Sequence, residues 1–111
     1  MGAQEKKLAE NEALFRDANE KLVQYATANV NDELGRLVPF LCECDRVDCT
    51  EVILVALPDY EQVRAHSRRS IQVKGHENDE IEDVVDESDR YVVTEKFGAA
   101  AEVYDELDPR S

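Results

Sequence analysis

Val38-Pro39-Phe40-Leu41-Cys42-Glu43-Cys44-Asp45-Arg46-Val47-Asp48-Cys49-Thr50-Glu51-Val52-Ile53-Leu54-Val55-Ala56 holds all three cysteines of a 111-residue chain. Val38 to Cys42 reads as a short strand entered through a proline, which suits a sheet edge. Cys44 to Thr50 is a loop of turn formers. Glu51 to Ala56 is a β-branched run and reads as a buried strand. Two strands with a thiol-rich loop between them therefore stand at the centre of the chain.

The thiols are spaced Cys-x-Cys-x4-Cys. In an extended segment Cys42 and Cys44 point to the same side, because strand side chains alternate. The four-residue loop can fold Cys49 back toward them. Tetrahedral zinc takes three or four soft or borderline ligands, with thiolate sulfur at about 2.3 Å. His76 follows Gly75, where a turn can aim an imidazole, and is the expected fourth ligand. Zinc is the expected metal, with iron as the alternative. A Cys3His site built from Cys42, Cys44, Cys49 and His76 is closed and therefore structural. If His76 does not bind, the fourth position falls to water or to an acid such as Asp48, and catalysis becomes conceivable. Packing thiols, a Cys44–Cys49 disulfide and a redox sensor are the competing uses of the same residues.

Before this centre, from about Gln4 to about Leu34, good helix formers dominate and no proline interrupts. Leu8, Phe15, Ala18, Leu22 and Tyr25 form a stripe close to heptad spacing, with Asn11 in one apolar place, and Val30, Leu34 and Leu37 follow. A long amphipathic helix is expected, with Gly35 as its stop. Its stripe either packs on its own domain or binds a partner through Leu8, Phe15, Leu22 and Tyr25.

After the centre, Leu57 to about His66 reads as a helix with Pro58 in its first turn. Tyr60 and Val63 are expected inward and Arg64 outward. Ser70 to Val73 alternates as a short strand. From Glu77 to Asp89 eight of thirteen residues are acidic, which reads as a solvated acidic face. Arg64, Arg68, Arg69 and His66 form a basic cluster, expected to pair with that tract. Ser88-Asp89-Arg90 closes a hairpin whose second arm is Tyr91 to Lys96, the first arm being strand or a helical turn. Ala99 to Leu107 reads as a terminal helix.

The expected fold class is α+β: a long N-terminal amphipathic helix, then a small, mostly antiparallel sheet with two short helices. Residues 1–36 form the helical arm and 37–111 the small domain. The formal net charge of −13 repels phosphate backbones and anionic lipid, so no direct nucleic-acid or membrane binding is expected. Met1 to Lys7 has no apolar h-region behind it, so no secretory signal is expected. Three cysteines, an odd number, then point to a reducing cytoplasm.

Several pieces carry a resemblance. Asn11 to Glu20, Phe40-Leu41-Cys42-Glu43-Cys44, Cys49-Thr50-Glu51, Tyr60-Glu61-Gln62-Val63-Arg64, Gly75-His76-Glu77 and Asp89 to Lys96 resemble a family of small uncharacterised proteins from actinobacteria and related soil bacteria. In that family the Cys-Glu-Cys, Cys-Thr-Glu and Gly-His pieces recur together. The resemblance thus implies a joint role for Cys42, Cys44, Cys49 and His76, most simply metal binding. The family usually has proline before the Gly-His, where this chain has Lys74. It implies no activity. The residues are therefore read as those of a non-catalytic zinc-binding interaction or regulatory module. Self-association through the helix, as a homodimer, or a protein partner is expected. A thiol-based redox or metal sensor and a small metalloenzyme with an open metal position are the alternatives.

Overall fold

The computed structural model describes residues 2–29 and 37–110. The elements run α1 (Gly2–Asn29), β1 (Leu37–Leu41), β2 (Val52–Ala56), α2 (Leu57–Arg64), β3 (Arg69–Gln72), β4 (Glu82–Glu87), β5 (Val92–Lys96) and α3 (Gly98–Glu106). This is the expected α+β class. The stop expected at Gly35, together with Val30 and Leu34, lies outside the described residues. No helix among the described residues is long and apolar enough to cross a membrane.

The expected single sheet is two sheets. β1 and β2 form an antiparallel pair, and β3-β5-β4 form a second antiparallel sheet. The Cys-Glu-Cys segment explains the split, because it leaves β1 to bond with both. Cys42 N–H still donates to Glu51 C=O at 3.1 Å, whereas Glu43 N–H donates to Ile71 C=O on β3 at 2.8 Å. The hairpin closed by Ser88-Asp89-Arg90 is present, and its first arm is strand, with a bulge between Val84 and Asp86.

Strand alternation sets the main core. Phe40, Ile53, Val55, Tyr60, Val63, Ile71 and Val93 pack with Cys42 and Cys44. Phe40 stacks on Tyr60 with ring centroids 4.1 Å apart. β2 is only half-buried, which corrects the expectation of a buried strand. Ile53 and Val55 face the core, but Val52 is 51 % and Leu54 45 % exposed. The pair β1–β2 is covered on one face only, so its β-branched run serves one core and one surface.

Other corrections concern charge. Arg64, expected outward, is 3 % exposed. It lies between Glu20, at 3.4 Å, and Asp108, whose carboxylate it bonds directly. The tail after α3 returns to α1 and α2 and supplies that partner. Arg110 extends the network to Glu20 and Glu61 at 2.6 and 2.7 Å. Arg68 pairs with Asp105 and Arg69 with Glu95, each at 2.9 Å, so their partners lie outside the 77–89 tract. That tract is not wholly solvated either. Glu82 is buried, 2.7 Å from the buried Lys96 ammonium.

α1 packs along the body, against α3 and β1. Its buried residues are Ala9, Glu12, Ala13, Arg16, Asn19, Glu20 and Ala26, at helical spacing. The face turned inward is thus largely polar. Leu8 is partly buried against Ile81 and Ala100, and Leu22 against the main core. Phe15 is half-buried and Tyr25 is 68 % exposed. Small and polar residues let the helix approach closely. Most of the buried polar groups find partners: Glu12 on β5 through Lys96, Arg16 on the turn before β3 and on α3, Asn19 on β1, and Glu20 on α2 and the tail. Arg16 donates to the carbonyls of Ser67 and Tyr104 at 2.6 and 2.7 Å, with its guanidinium 3.6 Å from the Tyr104 ring centre.

Candidate metal centre

Each of the four expected ligands is set by a local device. Cys42 and Cys44 flank Glu43 on the extended segment after β1, and both are buried. Glu43 points the other way, toward α1, α2 and β3, and is fully buried. Its carboxylate accepts from Asn19 Nδ2 at 2.8 Å, Tyr60 Oη at 2.5 Å and Ile71 N–H at 3.0 Å. One side chain thereby fixes the thiol-bearing strand to α1, α2 and β3. Burial raises its pKa, and these three donors oppose that shift.

Asn19 completes the attachment. It accepts Leu41 N–H at 2.8 Å and donates to Leu41 C=O at 2.9 Å, closing the free edge of β1 as a neighbouring strand would. Asn11, the polar residue in the expected apolar stripe, donates to Asp45 C=O at 3.2 Å.

Cys49 is turned back by a tight turn, in which its N–H donates to Arg46 C=O at 3.0 Å. His76 is placed by a second turn, with its N–H donating to Val73 C=O at 2.9 Å. Gly75 inside that turn has φ of 93°, a region that costs any other residue strain. Lys74 before it is accommodated on the exposed side of the turn.

These devices bring all four residues together. The Cys42, Cys44 and Cys49 sulfurs and a His76 ring nitrogen all lie within 4.8 Å of one another. His76 Nδ1 is 3.5 Å from Cys42 Sγ and 3.7 Å from Cys49 Sγ. A tetrahedron with metal–sulfur bonds of about 2.3 Å and a metal–nitrogen bond of about 2.0 Å has S···N edges of about 3.5 Å. These two separations match such an edge, so the cluster could hold a metal ion, with Nδ1 the His76 nitrogen turned toward the sulfurs. Asp48, the other candidate for the fourth position, is exposed at the rim.

The electrostatics agree with the donor set. Donation from the Cys42 thiol lowers the Cys44 pKa to about 5. The same hydrogen bond, with burial, pushes Cys42 up, and burial raises Cys49. Each thiolate raises the cost of ionising its neighbours, and a bound cation would offset that cost. Val73 N–H donates to Cys42 Sγ at 3.2 Å, the kind of outer contact that orients a ligating sulfur.

The residues around the ligands were the less legible part. Glu43 had a usable signal: a residue between two same-side cysteines points to the opposite side. Asn19 had none, because one polar residue on a long helix has no period. No family model, curated protein or solved structure matches the chain.

Proposed function

We propose that this protein is a small, non-catalytic interaction or regulatory module held together by one structural zinc ion on Cys42, Cys44, Cys49 and His76. The observation that carries this reading is the convergence of three sulfurs and one imidazole nitrogen within 4.8 Å. Zinc suits a Cys3His set, and four protein ligands leave no open position for a reacting water. The metal would join the Cys-bearing segments next to β1 and β2 to the loop after β3. Those two sheets also meet through the Glu43 contacts, the Val73 N–H on Cys42 Sγ, Arg90 on Leu54 C=O and core packing. The reading places the protein in a reducing cytoplasm, where free thiols persist. The partner would be a protein, or a second copy, meeting the solvent face of α1 around Phe15 and Tyr25. Membership of the actinobacterial family is proposed on its motifs alone.

Native mass spectrometry of protein purified under reducing conditions tests the metal. One zinc per chain is expected in the wild type and none in Cys44→Ser, with a loss of thermal stability. A metal-free wild type with the stability of Cys44→Ser would sink the reading.

A further inference from the structure

The four ligands are not equally protected. Cys42 and Cys44 are buried, whereas Cys49 and His76 are partly exposed. Cys49 and His76 line a surface depression of about 330 Å³ together with Arg46, Asp48, Thr50 and Glu51. One sulfur of the site therefore meets small solutes, and two thiols stand behind it. Resting on the metal reading above, we infer that Cys49 is a redox-modification site, oxidised by a hydroperoxide and resolved by Cys44 into a disulfide that releases the metal.

The depression admits a small hydroperoxide to Cys49 and to neither buried thiol. Arg46 and Thr50, which carry hydrogen-bond donors, line the same depression. The Cys49 thiolate attacks one peroxide oxygen, and the O–O bond breaks. Sulfur loses two electrons to become a sulfenic acid, the peroxide gains them, and the leaving alkoxide or hydroxide takes a proton from water. The Cys44 thiolate then attacks the Cys49 sulfur. An S–S bond forms, the S–O bond breaks, and hydroxide leaves.

Cys44 is the favoured resolving thiol for a positional reason. It precedes the Arg46–Cys49 turn, so a Cys44–Cys49 bridge closes across a bend already made. Cys42 is held in the ladder by its N–H on Glu51 C=O, and its sulfur is bonded by Val73 N–H. A Cys42–Cys44 bridge would join residues about 6.6 Å apart along an extended strand, near the limit a disulfide spans. Loss of two sulfur ligands leaves Cys42 and His76 alone on the metal, which is too few to retain it.

The experiment uses the zinc-loaded full chain and hydrogen peroxide. Zinc per chain is measured first. Released zinc is then followed with a colorimetric chelator while peptide mapping locates the oxidised sulfurs. The expected result is zinc release in step with a Cys44–Cys49 disulfide, Cys42 remaining reduced, and recovery of one zinc on treatment with dithiothreitol. In the untreated zinc form, iodoacetamide should modify Cys49 at least about tenfold faster than Cys42 or Cys44. A disulfide that includes Cys42, a sulfinic acid at Cys49 with no disulfide, or thiols unchanged by peroxide would each overturn the inference. Absence of zinc before oxidation would instead overturn the structural metal reading, because the sulfur map is read independently.

Discussion

Glu43 and Lys96 show at the residue scale how this small chain uses buried charge. Glu43 holds three elements through three hydrogen bonds, and an amide there cannot accept from all three donors. Glu43→Gln is expected to cost about 2–3 kcal/mol, read by urea denaturation with zinc in excess. Lys96 Nζ lies 2.7 Å from Glu82 Oε1, 2.8 Å from Glu12 Oε1 and 2.8 Å from Ser70 Oγ, all buried. One ammonium faces two carboxyl groups. Burial raises the Glu12 pKa well above 4.5, and the neighbouring Glu82 adds to this. Burial also penalises ionised Glu82, but Lys96 and the Asn78 N–H outweigh it, and its pKa is lowered. These opposite shifts favour the proton on Glu12 and the charge on Glu82 beside the lysine. Glu82→Gln should cost about 3–4 kcal/mol and Glu12→Gln under about 1 kcal/mol. The native state holds the Glu12 proton above pH 4.5, where the unfolded chain releases it, so stability from this group falls as pH rises from 4.5 toward the raised value. Wild-type stability relative to Glu12→Gln should decline over that window. A difference that stays flat with pH would show Glu12 ionised in the native state.

At the scale of elements, α1 departs most from what its sequence displays. The helix itself was legible, because no breaker interrupts its long run of helix formers. Its inward face was not, since apolar periodicity marks Leu8, Phe15 and Leu22 while the fully buried positions include Glu12, Arg16 and Asn19. Asn19→Ala leaves Leu41 N–H and C=O without their side-chain partner and removes a donor from Glu43. It should cost about 2–3 kcal/mol, whereas Leu14→Ala, at a 65 % exposed position, should change stability by less than about 0.5 kcal/mol. Equal costs in thermal melts would contradict the polar attachment of the helix. The turn carrying His76 makes a second comparison. A Cβ on Gly75 would meet no atom within 4 Å, so Gly75→Ala is penalised only through its positive φ. The strain is about 1 kcal/mol, and zinc affinity measured by chelator competition should fall about five- to tenfold. An unchanged affinity would mean that His76 is not held by this turn.

In the whole molecule, among the described residues, two sheets and three helices hold a cluster whose four residues come from the segments next to β1 and β2 and the loop after β3. The order of elements and the cysteine cluster were legible because their signals are local: alternation, β-branched runs, turn residues and thiols a few positions apart. The ion pairs were not, because Arg110 and Glu20 lie 90 positions apart and Arg64 and Asp108 44 apart. Nothing in the neighbourhood of Arg64 announces that a distant tail will bury it. Removal of zinc by a chelator should lower unfolding free energy by about 2.7 kcal/mol relative to protein with free zinc at a hundredfold excess over its dissociation constant. X-ray absorption at the zinc edge of the reconstituted protein tests the centre most directly. The expected shell is three sulfurs at about 2.3 Å and one nitrogen at about 2.0 Å. A shell dominated by oxygen, or two sulfurs with no imidazole signature, would contradict a structural site on Cys42, Cys44, Cys49 and His76.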